Sequence, residues 1–462
     1  IIIVTSLLAG TPTGTRWLGA TIHSTNDNAA YRSYIAQVQA KGPRFSNLYA
    51  VEPNTPRMDP VWSSLGIISK SGLDPNIILE IARGIFTFLL LLALHAASRS
   101  VTKTERHAQL GTLLALGGFL SGWLLFPFMG IHNPVAEMLP ELPPEMSSEF
   151  SPSYALLSNI HLILSTALLL CALRLSWKAY DQSCSRDAIK ASACAMFLFL
   201  IHPYFLPLFG CYLATTHIWH LRKNTPAQHR KLFFILAAST IPAALYFASL
   251  ISDASFRNHH LYVNYLPLGS WRSWLLALLP CLIAYSLRVI KKIPLDPREY
   301  WLVAWCVSVI CCLFLPLPFT RKFLEGSLIA LVLLTVPTWT YMIRRRWHGL
   351  LLIGFSFIGF YFLFGRDLAI PRLPQMQRYL YQPLGVFQAW QFISTHTDPS
   401  AVLLSNDGIV NVWTPTYTMR RIWIGHNHET PDYQRKFLFW KELISSPTTS
   451  TVDTLTQLPI TH

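Results

Sequence analysis

The chain has 462 residues, of which 52% are hydrophobic and only 13% charged, whereas a typical soluble domain carries roughly a quarter charged residues. This composition excludes a water-soluble globular enzyme. The net charge of +14 does not indicate a nucleic-acid partner, because the basic residues sit in short loops between apolar runs, where they report membrane topology.

Stretches of about 17–25 apolar residues can cross a hydrocarbon core. They predict spans at 1–10, 77–97, 108–128, 154–174, 191–203, 205–220, 232–252, 271–288, 301–317, 326–342 and 347–365. The first is read as a truncated span, since the chain opens on Ile1 inside an apolar run. His202, Pro203 and Pro207 interrupt the long 191–220 stretch, which on its own fits either one span or two short ones.

Loop charge decides between them. Basic loops around Arg99 and Arg106, Arg174 and Lys190, Arg222 and Lys231, Arg288 and Lys292, and Arg344 and Arg346 share the cytoplasmic side only if that stretch crosses twice. Counting two spans there gives about eleven in all. The acidic loop with Glu137, Glu141, Glu145 and Glu149 then falls outside, together with 11–76, 253–270, 318–325 and everything after 365.

The expected fold is thus an α-helical polytopic membrane domain over 1–365, with a long first extracytoplasmic loop at 11–76, and an extracytoplasmic C-terminal domain over 366–462. An apolar run at 401–404, the turn residues Asn406-Asp407-Gly408 and a helical charge pattern at 433–443 predict a small α/β tail. The 8 Cys include no C-x-x-C pair and lie in apolar runs or, for Cys184, in a basic loop. Neither a disulfide framework nor a zinc site is supported.

Several polar residues stand out against this background. Asp27 follows the first span closely, and Glu52, Arg57 and Asp59 follow in the same loop. A carboxylate at the outer membrane surface can accept the proton of a hydroxyl, and an arginine can hold a phosphate. The plainer reading makes Asp27 the cap of a helix that begins near Asn28. In the tail, His426, His428 and Glu429 can hold a divalent metal or close over a headgroup, or Thr430 or Asp432 simply caps the following helix.

His202-Pro203-Tyr204 lies at the expected outer turn between two short spans, where it either lines a cavity or makes the turn. His259 and His260 lie in an external loop. Arg321 and Lys322 sit in a very short outer loop, against the positive-inside trend, where paired bases suit a lipid phosphate or anionic lipid in general.

Four features together resemble the membrane-embedded GT-C glycosyltransferases. They are an Asp shortly after span one, a Tyr31-x-x-Tyr34-Ile35 juxtamembrane helix, the Asn47-x-Tyr49 to Glu52-Pro53 segment, and Trp62-x-x-x-Gly66 before span two. The similarity is to the bacterial branch that uses polyprenyl-phosphate sugars, as lipopolysaccharide-core and protein O-mannosyl transferases do. The Gly425-His426 to Tyr433 segment of the tail resembles the tails of bacterial relatives of these enzymes. The chain departs from the pattern in having Asn26-Asp27-Asn28 in place of a double acid and in lacking the acceptor-peptide motif of oligosaccharyltransferases.

The resemblance implies an inverting transferase in a bacterial inner membrane. It implies a polyprenyl-phosphate-linked sugar as donor, an extracytoplasmic acceptor, membrane lipid as surroundings and no nucleic acid. Asp27 and Glu52 become the catalytic acids, and Arg57, Arg321 and Lys322 the bases that hold the donor phosphate. Tyr31, His202, His259, His260, His426 and Glu429 become cavity residues. No cofactor is required, and a divalent metal is left open. A lipid-linked-substrate transporter or flippase is the main rival, although paired broken repeats are absent. A non-catalytic membrane assembly protein is the third possibility.

Overall fold

A computed structural model describes residues 11–19, 25–52, 54–118, 151–221, 226–257, 271–317, 319–343, 345–369, 373–445, 455 and 458–461. The chain divides into two compact units. The first comprises Ile1–Ile81, Ala248–Asn264 and Arg366–His462, and the second comprises Ala82–Phe247 and Tyr265–Gly365.

Among the described residues, four helices are long and apolar enough to cross a membrane: Pro75–Val101, Ile160–Asp181, Ala227–Ile251 and Thr320–Met342. A fifth candidate is the pair Arg346–Ser356 and Ile358–Gly365, bent by 42°. The larger number of spans expected from the sequence is not reached, because helices Ser185–Ile201, Phe205–His220, Tyr300–Leu313 and Leu279–Ile290 have only 17, 16, 14 and 12 residues. The expected span at 1–10, part of that at 108–128 and the acidic loop lie outside the described residues. The 154–174 stretch divides at Ser158 and Asn159 into helices Pro152–Leu157 and Ile160–Asp181. There Arg83 Nη1 donates to the carbonyl of Leu156 at 2.7 Å, satisfying a backbone group that the break releases.

The 191–220 stretch is likewise two helices, Ser185–Ile201 and Phe205–His220, which meet at His202 to Tyr204. Each is about 25 Å long at 1.5 Å per residue, somewhat short of the ~30 Å hydrocarbon core. Ile160–Asp181 packs along Ser185–Ile201, Phe205–His220 packs on Tyr300–Leu313, and Ser327–Met342 packs on Glu105–Gly117 and Leu279–Ile290.

The first unit joins the first loop to the tail. Strand Thr15–Trp17 pairs antiparallel with Tyr381–Pro383, so Trp17 stands opposite Tyr381. Helix Thr25–Lys41 packs between helices Pro60–Ser69 and Gly408–Thr418. Its end is written in Lys41-Gly42-Pro43, where Gly42 takes φ 105 just past the last turn and Pro43 cannot continue the helix. Asp59 starts the next helix by accepting from the amides of Val61 and Trp62, with Pro60 at the first helical position. Asp407 caps Gly408–Thr418 in the same way.

One core holds these pieces together. Leu18 and Ala29 of the first loop are buried against Leu380, Tyr381, Trp390, Ile409, Val412 and Trp413 of the tail. The tail therefore does not close on itself as a small α/β appendage. Its short strands Val402–Leu403 and Arg421–Ile422 pair in parallel, and Ile422 N donates onward to Leu48 O of the first loop at 2.9 Å.

Trp413 is fully buried at this junction, so Trp413→Ala should cost about 3–5 kcal/mol. Thermal unfolding in detergent should show the loss, and limited proteolysis should cut the first loop as readily as the tail. Proteolysis confined to the tail would contradict a shared core.

Candidate active site

Helix Thr25–Lys41 already includes Asp27, so Asp27 lies inside the helix and does not precede it as expected from the sequence. The helical period places Asp27, Tyr31 and Tyr34 at i, i+4 and i+7 on one face. That face meets the tail segment Gly425 to Thr430. His426 Nε2 stands 3.1 Å from Asp27 Oδ1, and the two side chains differ in exposure, 3% for His426 against 35% for Asp27.

His426 is fixed from behind. Its Nδ1 accepts from the amides of His428 and Glu429, both at 3.1 Å. A nitrogen that accepts two amide hydrogens is the lone-pair nitrogen, so in the neutral ring Nε2 carries the hydrogen and donates to Asp27. Gly425 permits this approach: a Cβ there would lie 2.9 Å from Tyr49 Cδ1 and 3.1 Å from the carbonyl of Asn411. The turn is closed by Gly425 N donating to Thr430 Oγ1 at 3.2 Å. Thr430 thus seals this turn, while Asp432 takes φ 53 immediately before helix Tyr433–Ser445.

Glu429 carries the network further. Tyr34 Oη donates to Glu429 Oε1 at 2.7 Å, across 395 residues of sequence. Arg57 Nη2 donates to Tyr34 Oη at 2.6 Å and reaches the two carboxylate oxygens of Glu429 at 3.3 and 3.4 Å. Asn47 Nδ2 donates to the Glu429 carbonyl at 2.8 Å. The Arg57 guanidinium also lies 5.1 Å from the Tyr34 ring and 5.6 Å from the Phe45 ring, which favours a cation in a desolvated place.

Burial opposes the Arg57 charge, but Tyr34 and Glu429 outweigh it and hold the guanidinium protonated above its ordinary range. Burial above all, with Arg57 opposing and Glu429 adding to it, keeps the Tyr34 phenol protonated. Burial and then the Asp27 charge do the same for Tyr31, whose ring stacks on Trp62 at 4.1 Å.

Among the described residues, every side-chain hydrogen bond of Arg57 runs through Nη2, and the residue also lines an adjoining cleft. Asn47, Asn54, Thr55, Asp253, Phe256 and Glu429 line that cleft with Arg57. Asp253 accepts from the amides of Thr55 and Phe256. The sequence offers no motif for it, and it stands there only as the first residue of the outer loop 253–270.

The structure thus brings Asp27, Tyr31, Arg57, His426 and Glu429 together. Glu52 is placed elsewhere on the first unit: it is exposed, its charge acts on Lys436 of the tail, and its carboxylate makes no hydrogen bond among the described residues. Arg321, Lys322 and His202 belong to the second unit. His259 and His260 lie outside the described residues. Among the described residues no three His, Cys, Asp or Glu side chains are arranged to hold a metal ion, and in the tail trio His426 has both nitrogens engaged.

No protein-family model matches the chain, and no curated protein matches it significantly. A solved structure does: ArnT from Cupriavidus metallidurans, bound to undecaprenyl phosphate, is similar over 99% of this chain and 90% of its own, with a TM-score of 0.52 at 12% identity. The chain has the GT-C fold. The apolar helices among the described residues, four or five of them long enough to cross a bilayer, agree with a multi-pass membrane protein of this fold. Within it, the first-loop acid Asp27 and the tail histidine His426 form one bonded unit.

Arg57 and Glu429 are 16% and 10% exposed, so removing either partner strands the other in a poorly solvated place. Glu429→Ala should lower stability by about 3–5 kcal/mol. Arg57→Leu combined with Glu429→Ala should cost clearly less than the sum of the two single changes, read by thermal unfolding in detergent. Strict additivity would mean that the pair does not interact.

Proposed function

We propose that this protein is an inverting glycosyltransferase of the bacterial inner membrane, moving a sugar from a polyprenyl-phosphate carrier to a hydroxyl acceptor outside the cytoplasm. The observation that carries this reading is the Asp27 carboxylate, part-exposed and held at 3.1 Å by a buried histidine. A general base needs that combination: one side anchored, the other reachable by substrate. The likeness to a GT-C enzyme solved with undecaprenyl phosphate supports the donor class.

In the proposed reaction the acceptor oxygen attacks the anomeric carbon from the face opposite the phosphate. Its proton passes to the Asp27 carboxylate as the new carbon–oxygen bond forms. The bond from the anomeric carbon to the phosphate oxygen breaks, and the polyprenyl phosphate leaves as an anion. His426 orients Asp27 and stabilises its charge. Arg57, anchored through Nη2 by Tyr34 and Glu429, offers its guanidinium to the developing phosphate charge. Glu429, more than Glu52, is the acid that orients this centre, because it holds Arg57 and Tyr34 while Glu52 does not. Arg321 and Lys322 are a further set of bases proposed for the anionic lipid.

Asp27→Asn preserves size while removing the base. It should leave expression and thermal stability near wild type and reduce transfer from a polyprenyl-phosphate sugar by roughly 10²–10⁴-fold. Undiminished transfer would remove Asp27 from the mechanism. The proposed orientation puts the tail outside, so a phosphatase that is active only in the periplasm should be active when fused after His462. Activity of a cytoplasm-only reporter at that point would reverse the topology.

A further inference from the structure

The second unit contains a buried acid that the proposed mechanism does not use. Glu325 is fully buried, ending the 3-10 turn Thr320–Leu324 just before helix Ser327–Met342. An acid placed among apolar helices is costly unless it has partners, and the partners of Glu325 include a serine and a histidine. Ser165 Oγ of helix Ile160–Asp181 donates to its Oε1, and His202 Nε2 stands 3.5 Å from its Oε2, with side-chain exposures of 6% for the histidine and 1% for the glutamate.

His202 occupies the break between helices Ser185–Ile201 and Phe205–His220. The pair therefore ties one interruption of the helical bundle to another. The same two interruptions meet again through aromatic contacts: Tyr204 packs on Phe319 at 4.8 Å, and Lys322 Nζ lies 5.9 Å from the Tyr204 ring centroid. Gly326 enforces the geometry from the other end. It takes φ 71, a left-handed conformation that favours glycine, so the chain turns from Glu325 into the helix.

The result is a short turn carrying Arg321 and Lys322, both half-buried, that ends on a buried acid packed against a histidine. Two cations on a five-residue turn would otherwise repel one another and sample many positions, which weakens any anion site they form. We propose that Glu325 and His202 are a positioning pair that preorganises Arg321 and Lys322 as a site for the phosphate monoester of an isoprenoid lipid. The proposal rests on the donor class assigned under the proposed function, but not on Asp27 or on the chemical step.

The sign of one substitution separates positioning from simple electrostatics. A carboxylate near an anion site repels the anion, so if Glu325 acted only through its charge, Glu325→Gln would tighten phosphate binding. If it positions the turn, Glu325→Gln loosens the turn and weakens binding. The experiment measures binding of undecaprenyl monophosphate to the purified full chain in detergent, without sugar or acceptor. Lys322→Ala should weaken binding about tenfold or more, and Glu325→Gln and His202→Asn should each weaken it several-fold while the proteins elute as monodisperse species.

Excess inorganic phosphate or phosphatidylglycerol should compete poorly with the isoprenoid phosphate. Equal competition by phosphatidylglycerol would make this a general anionic-lipid site and overturn the proposal. So would unchanged or tighter binding in both Glu325→Gln and His202→Asn, or no effect of Lys322→Ala. Should Glu325→Gln fail to fold, His202→Asn carries the test alone. Because the assay needs no transfer, its outcome is independent of Asp27→Asn kinetics, and failure of either reading leaves the other standing.

Discussion

The first unit depends on the pairing of Glu429 with Arg57 and Tyr34. Without Glu429, a largely buried guanidinium would lose the carboxylate bonded to it and keep a phenol, aromatic faces and the charge of Asp59, and a buried charge without its bonded counter-charge is among the costliest features a fold can carry. With it, the first loop and the tail are joined by charged and neutral hydrogen bonds at one point. The apolar core around Trp413 and Trp390 supplies most of the burial, but burial is not directional. The Glu429 contacts supply the direction: they set where the 425–430 turn lies, and that turn places His426 against Asp27.

This chain of dependence runs from packing to chemistry. A helix of ordinary periodicity presents Asp27, Tyr31 and Tyr34 on one face. A glycine at 425 allows the tail to approach Tyr49 closely enough for the turn to sit there. Two amide donors then fix the tautomer of His426, and the tautomer fixes which atom faces the carboxylate. Each step constrains the next, so residues nearly four hundred positions apart meet in a single cluster.

The sequence makes some of this plain and hides the rest for physical reasons. Apolar runs show the membrane class, and Pro203 with its neighbours shows the break in the 191–220 stretch, because hydropathy and proline chemistry are local. Lys41-Gly42-Pro43 and Asp59-Pro60 mark helix ends for the same reason. Asp27, Arg57, His426 and Glu429 each stand out by residue type or motif, yet nothing local says that Glu429 rather than Glu52 neutralises Arg57. That is decided by a contact between distant segments, which leaves no periodic trace in a single sequence. The union of first loop and tail is hidden likewise: the tail has strand and turn signals of its own, but its edge partner at 15–17 is a three-residue strand, too short to announce itself. Spans were harder to count than to detect, since helices such as Ser185–Ile201, Phe205–His220 and Tyr300–Leu313 are shorter than a full crossing.

The central claim is that His426 acts through Asp27 and has no separate role in sugar transfer. A kinetic double-mutant cycle on the rate of transfer tests it directly. His426→Ala alone should slow the reaction, and less than Asp27→Asn does. If the histidine works only by holding and polarising the carboxylate, the double variant should be no slower than Asp27→Asn by itself. Multiplying losses, with the double variant slower than Asp27→Asn by the full factor of His426→Ala, would show that the two residues act independently and would contradict the account.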